Sequence, residues 1–147
     1  MDRDDVIDTL NGLIETSRDG ENGFRTCVEN AKSATLKTFF LGKAERCREG
    51  ALQLQQIVRE MGGAAETDSS FSGDMHRFWM NIKSSIAGMD DHQILAECEK
   101  GEDSAKQAYR EALALGLQGD VRMVVERQYR EVMANHDRVK ELRNITA

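Results

Sequence analysis

Among the side chains whose types could hold a divalent cation, five are candidates by position: the carboxylates of Glu21, Glu102 and Glu131 and the thiols of Cys47 and Cys98. Glu21 and Glu102 stand in matched contexts, each preceded by a glycine and each followed four residues later by a base, Arg25 or Lys106. Turned inward, two such carboxylates would raise each other's pKa values or share a cation or an arginine. Turned outward, each makes a Glu-to-base pair along its own helix in the favourable order, and this is the plainer expectation. Two cysteines without a histidine are a poor zinc set, and no Glu-x-x-His occurs in the chain. His76, His92 and His136 have no ligand-type residue three or four positions on and read as side chains at helix boundaries.

The elements that must position these groups read as helices. Val6, Ile7, Leu10, Leu13, Ile14, Phe24, Cys27, Val28 and Ala31 fall on one stripe at 100° per residue, which predicts a helix over 3–31. Asp19 to Gly23 have turn composition, yet the stripe resumes in phase at Phe24, so the expectation is a continuous helix with a weak or kinked middle. Leu36, Phe40, Ala44, Cys47, Ala51, Leu54, Val58 and Met61 predict a helix over 33–61, ended by Gly62-Gly63, of which the second can take a positive φ. A shorter helix over 71–87 carries Met75, Phe78, Trp79, Ile82 and Ile86. Asp90 or Asp91 can cap a helix over 91–115 with Ile94, Leu95, Cys98, Ala105, Ala108, Tyr109 and Ala112 inward. A last helix over 120–143 places Val121, Val125, Val132, Val139 and Leu142 inward, and no proline interrupts any of them.

An internal repeat relates the outer pairs of helices. At a constant offset of 81, Gly20-Glu21 matches Gly101-Glu102, Arg25 matches Lys106, Glu45-Arg46 matches Glu126-Arg127, and Val58 to Met61 match Val139 to Leu142. One offset serving both helices of each pair points to a duplicated helical hairpin. The architecture is then a single all-α domain: a hairpin over 3–62, a crossover over 63–90 and a hairpin over 91–143. One long crossover between two hairpins is the ferritin-like four-helix topology. Gly20 and Gly101, at matched places in the repeat, are expected to let helices approach closely.

Composition narrows the function classes. The chain has 147 residues and a net charge of −6, with 20 basic residues interspersed among 26 acidic ones, so no basic tract invites a phosphate backbone. The start, Met1-Asp2-Arg3-Asp4-Asp5, lacks the basic and apolar regions of a signal peptide, and no apolar run is long enough to span a bilayer. Three widely spaced cysteines without a CxxC suit reduced, buried thiols in a cytoplasm. Neither nucleic acid nor membrane is an expected partner.

Several segments together carry a resemblance: Leu13-Ile14-Glu15 with Asp19 to Arg25, His76 to Met80, Glu97 to Asp103, Tyr109 to Leu113, and His136 to Arg138. Over about residues 6–143 the chain resembles a bacterial ferritin-like four-helix-bundle family of unassigned function, domain of unknown function 2383, distantly similar to rubrerythrins. The resemblance implies the bundle and no established activity.

A ferritin-like di-iron centre takes a Glu from each of two helices and a Glu-x-x-His from each of the other two. Aligned on Phe24, the six positions fall on Ser17, Cys47, Gly50, Cys98, Gln128 and Glu131, which leaves one carboxylate and no histidine. No cofactor is predicted from that set. Ser17, Cys47, Cys98 and Gln128 lie near the middle of their stripes and are expected to form a small inner polar layer. Phe71, Phe78, Trp79 and Met80 either pack the crossover on its own bundle or contact a second copy. The reading is a non-catalytic cytoplasmic bundle acting through self-association, a dimer being favoured, or through protein interaction. The alternative is a metal-binding protein or metal-dependent oxidoreductase, holding iron or another divalent metal at Glu21, Glu102, Glu131, Cys47 and Cys98.

Overall fold

A computed structural model describes residues 1–67 and 73–146. Five α-helices make up the described chain: α1 (Arg3–Asn30), α2 (Ala34–Glu60), α3 (Asp74–Ser85), α4 (Asp91–Ala114) and α5 (Gly119–Thr146). A short 3-10 turn, Ile86–Gly88, extends the end of α3. The expected helix over 71–87 therefore starts later than its stripe suggested, and Phe71 lies outside the described residues. Through Asp19 to Gly23 helix α1 is unbroken, because residues flanked by an in-phase apolar stripe gain more from packing than turn-forming types gain from leaving the helix.

Polar contacts at the helix ends set the topology. At one end of the bundle Arg3 Nε donates to the Met61 carbonyl at 2.6 Å, pinning the start of α1 to the end of α2. At the other end, Asp90 and Gln93 form a reciprocal capping box at 2.8 and 2.9 Å. Asp91 reaches across, its carboxylate accepting from the backbone N–H groups of Lys32 and Ser33 at 2.8 and 2.9 Å. The first turn of α4 is thus tied to the α1–α2 turn, so α4 runs antiparallel to α1. The crossover must climb the length of the bundle between these two ends. It starts against α1 and α2, where Asn11 bonds both the Ala64 carbonyl and the Glu66 N–H, and Gln55 donates to the Glu66 carbonyl at 2.7 Å. At the end of α2 it is Gly62 that takes the positive φ, +79°, and not Gly63 as expected; a Cβ on Gly63 would instead meet the Ile7 side chain at 2.7 Å.

Apolar burial is divided along the bundle. One cluster, towards the α1–α2 turn, joins Phe24, Cys27, Phe40, Trp79, Ile94 and Cys98. The other, towards the chain start, joins Leu10, Ile14, Leu54, Tyr109, Leu117 and Val125. Leu117 lies in the α4–α5 connection, where no periodicity marked it, yet is only 1% exposed.

Helix α3 docks on α1 and α4 by inserting Trp79. The indole packs edge-on to Phe24 and to Phe78, with ring centroids 5.3 and 5.1 Å apart. Its six-membered ring fills a slot that two glycines leave open. A Cβ on Gly23 would overlap the indole, and one on Gly101 would sit 2.7 Å from it. Gly101 therefore admits an aromatic ring, where a close approach of helix backbones was expected. Gly20 faces Cys47, whose Sγ would lie 3.1 Å from an added Cβ. Trp79 is 6% exposed within its own chain, whereas Phe78 is half-buried and Met80 exposed.

This slot makes a signed prediction. Trp79→Ala should cost about 3–5 kcal/mol, as large aromatic truncations in cores do. Gly23→Ala should cost about 1–3 kcal/mol by overpacking. In the Trp79→Ala background the same Gly23→Ala change should become neutral or stabilise by up to about 1 kcal/mol, because alanine is the better helix former. Chemical denaturation of the four proteins of this cycle gives the coupling; equal costs of Gly23→Ala in both backgrounds would contradict the slot.

Candidate central site

Between the two apolar clusters the helices bring polar side chains to one level. The dominant contact is an ion pair between Lys43 on α2 and Glu102 on α4, whose side chains are 4% and 5% exposed. Lys43 Nζ also lies 4.9 Å from the Phe24 ring centroid and 5.6 Å from that of Phe39, so its charge meets aromatic faces as well as a carboxylate. Burial raises the Glu102 carboxyl above the ordinary glutamate range, and the neighbouring Lys43 offsets part of that rise. Glu102 was expected to pair with Lys106 along α4. It turns inward instead, because Lys43 offers the charge that a carboxylate facing the core requires.

Glu21, the repeat partner of Glu102, is handled differently. Its carboxylate receives Arg18 at 2.8 Å and Arg25 at 3.2 Å, and Arg25 also bonds Glu45 at 3.0 Å. The hydrogen bonds to Glu45 and then Glu21 raise the Arg25 pKa. The matched pair of carboxylates is therefore split, one held by two arginines at the flank of α1 and the other by a lysine inside.

Beside the ion pair lies a cavity of about 70 Å³, lined among others by Ser17, Lys43, Cys47, Glu102, Tyr109 and Gln128. The Tyr109 hydroxyl donates to Gln128 Oε1 at 2.7 Å, and Gln128 Nε2 donates to the Gly50 carbonyl at 3.3 Å and to Gln53 at 3.0 Å. Burial pushes the Tyr109 hydroxyl up, against the effect of its bond to Ser17. The Cys47 thiol is pushed up to about 12 by burial, with the Glu102 charge adding to the rise, so it stays protonated near neutral pH.

The five candidate ligands are not gathered into one set. Cys47 and Glu102 line the cavity, and Glu131, an exposed residue, joins them at its rim. Glu21 is held by its arginines, and Cys98 faces Cys27 in the apolar cluster, Sγ to Sγ 3.4 Å. Of the expected inner layer, Ser17, Cys47 and Gln128 line one cavity and Cys98 does not. Among the described residues no three of His, Cys, Asp and Glu converge as metal ligands. Two of the histidines find carboxylates elsewhere: His76 Nδ1 lies 3.2 Å from Asp19, tying α3 to α1, and His136 Nε2 lies 2.6 Å from Asp103.

A di-iron centre in a ferritin-like bundle takes carboxylates and imidazoles from facing helices. Here the donors are a protonated thiol, a phenol and an amide already bonded to each other or to backbone, and a carboxylate matched by Lys43. These residues do not fit a di-iron group. Lys43 is the member of the site that its sequence context did not mark. The available signal was its phase: Lys43 stands three residues after Phe40 and four before Cys47, in line with the α2 stripe.

Residues 5–115 match the family described as Domain of unknown function (DUF2383). The chain belongs to this family. No curated protein matches it. Two solved structures share its fold. One is a dodecameric thioferritin, the bacterioferritin-related protein from Bacteroides fragilis, with 17% identity, a TM-score of 0.80, and coverage of 99% of this chain and 89% of that one. The other is a ferritin-like, diiron-carboxylate protein from Bacillus anthracis, with 14% identity and a TM-score of 0.71 over 100% of both chains. The chain is thus a ferritin-like four-helix bundle of the DUF2383 family.

A pH-dependent cost tests the ion pair. Lys43→Met removes the group that lowers the Glu102 pKa, so the folded-state value rises further above the unfolded one. The stability linked to a raised carboxyl is complete below the unfolded pKa and is lost as pH rises through the folded value. The cost of Lys43→Met should therefore be larger at pH 8 than at pH 5, reaching about 3–5 kcal/mol. Adding Glu102→Gln should remove the pH dependence. Denaturant midpoints at the two pH values measure it; an equal cost at both would contradict the pairing.

Proposed function

We propose that this chain is a non-catalytic ferritin-like bundle that acts through self-association, with the Lys43 ammonium supplying at its centre the positive charge that a metal supplies elsewhere. The observation that carries this reading is the buried contact of Lys43 with Glu102. A lysine in that position meets the carboxylate, fills part of the central space and repels an incoming cation. Kinship to rubrerythrins would then be one of ancestry, without the chemistry.

Self-association draws support from the Bacteroides fragilis neighbour, described as dodecameric. It also draws on exposed leucines of α2, Leu41 at 45% and Leu52 at 42%, which stand three turns apart on one face of that helix. Because Trp79 is buried in its own chain, this face supports assembly better than the crossover aromatics do. A two-fold dimer is the smallest assembly in which such a face covers itself. Three free cysteines suit a reducing cytoplasm, and among the described residues no helix is long and apolar enough to cross a membrane.

The opposing reading, a metal-binding protein or metal-dependent oxidoreductase, draws on Cys47, Glu102 and Glu131 lining one cavity. Elemental analysis after Fe(II) loading, with ferroxidase and peroxide assays, separates the two. The expected result is protein without bound iron and without turnover. Stoichiometric iron that is lost on Glu102→Ala would overturn the proposal. Light scattering should find an oligomer that Leu41→Glu with Leu52→Glu shifts towards monomer; a wild-type monomer at micromolar concentration would remove the self-association.

A further inference from the structure

We propose that Cys27 and Cys98 form a redox modification site, a thiol pair that a peroxide converts to a disulfide linking α1 to α4. The two Sγ atoms lie 3.4 Å apart, one thiol donating to the other. Both side chains are buried, at 1% and 0% exposure, inside the cluster that also holds Phe24, Trp79 and Leu95. Two helices bring together residues 71 positions apart in sequence. A disulfide needs its sulfurs at about 2.05 Å, so the two atoms, already in contact, must close by roughly 1.4 Å. Cys47 lines the central cavity from α2 and packs against the edge of the same cluster, so its replacement is one arm of the test.

The chemistry balances with hydrogen peroxide as the oxidant. Cys27 Sγ attacks one peroxide oxygen as its thiol gives up a proton, the O–O bond breaks, and the departing hydroxide takes up that proton as water. Cys27 is then a sulfenic acid. Cys98 Sγ attacks that sulfur, the S–O bond breaks, and the hydroxyl departs with the Cys98 proton as a second water. Two thiols are oxidised and one peroxide is reduced. Burial, and then the bond to Cys27, raise the Cys98 thiol above the ordinary cysteine range, so Cys98 has to give up its proton as it closes on the sulfenic sulfur. A small neutral oxidant is the class that can reach an apolar core through local opening. The product joins one hairpin to the other and restricts the unfolded chain, so the oxidised protein should be the more stable form.

The test uses the full chain, reduced, chelator-treated and exposed to hydrogen peroxide while folded, with the oxidant removed before thiols are counted in denaturant. The expected result is the loss of two thiols per chain and of two hydrogens in intact mass. A non-reducing tryptic digest should join the peptide containing Cys27 to the one containing Cys98, and the melting temperature should rise by about 5 °C or more. Dithiothreitol should reverse all three changes. Cys47→Ala should keep the link, and Cys98→Ala should lose it along with the rise in melting temperature. Oxidation confined to Cys47, links between chains, or two unreacted thiols at positions 27 and 98 in folded protein would each overturn the proposal.

Discussion

Taking a lysine and a glutamate out of water is costly, and a fold that does so at its centre has to be arranged around recovering that cost. The Lys43–Glu102 pair joins α2 of one hairpin to α4 of the other, where neither side chain can reach solvent. Its register is therefore fixed by charge in a way that leucine-on-leucine packing would not fix it, since a slip of one turn would leave both charges unmatched. The apolar clusters lie to either side of this level. The phenol–amide bond of Tyr109 and Gln128 then satisfies polar atoms that the central cavity would otherwise strand.

The crossover completes the enclosure. Trp79 is drawn between Gly23 and Gly101 and borders the same cavity that Lys43 and Glu102 border. Phe24 links the two features, T-shaped against the indole and with its face towards the Lys43 ammonium. Helix α3 thus does more than return the chain along the bundle, because its buried indole forms a wall of the cavity beside which the charges meet. Low solvent exposure strengthens the attraction of the pair and also raises the cost of any state in which one partner is missing.

Much of this was legible in the sequence. Five in-phase stripes, the absence of proline and a repeat at a single offset specify the hairpins and their crossover, and the helices follow them closely. The site was less legible, for reasons that are physical. A lysine in phase with a stripe ordinarily extends its stem over apolar surface and leaves its charge in water, so the phase of Lys43 alone did not mark it as turning inward. Glu102 has a base at the favourable spacing along its own helix, and only the tertiary fold shows that α2 brings a different one. The repeat drew Glu21 and Glu102 together as equivalents. The position matching Lys43 is Val124, so the inward charge exists on one side alone and the symmetry is broken. Gly23 read as part of a turn because a glycine's local signals are the same whether it bends a chain or admits an indole.

The Lys43–Glu102 ion pair closes the middle of the bundle with the protein's own charges. Diffraction at the iron absorption edge from a crystal soaked in Fe(II) is the decisive measurement. Lys43 Nζ should be hydrogen-bonded to the Glu102 carboxylate, with no anomalous peak in the cavity beside them. An iron peak coordinated by Glu102, with Lys43 displaced from the carboxylate, would overturn that closure.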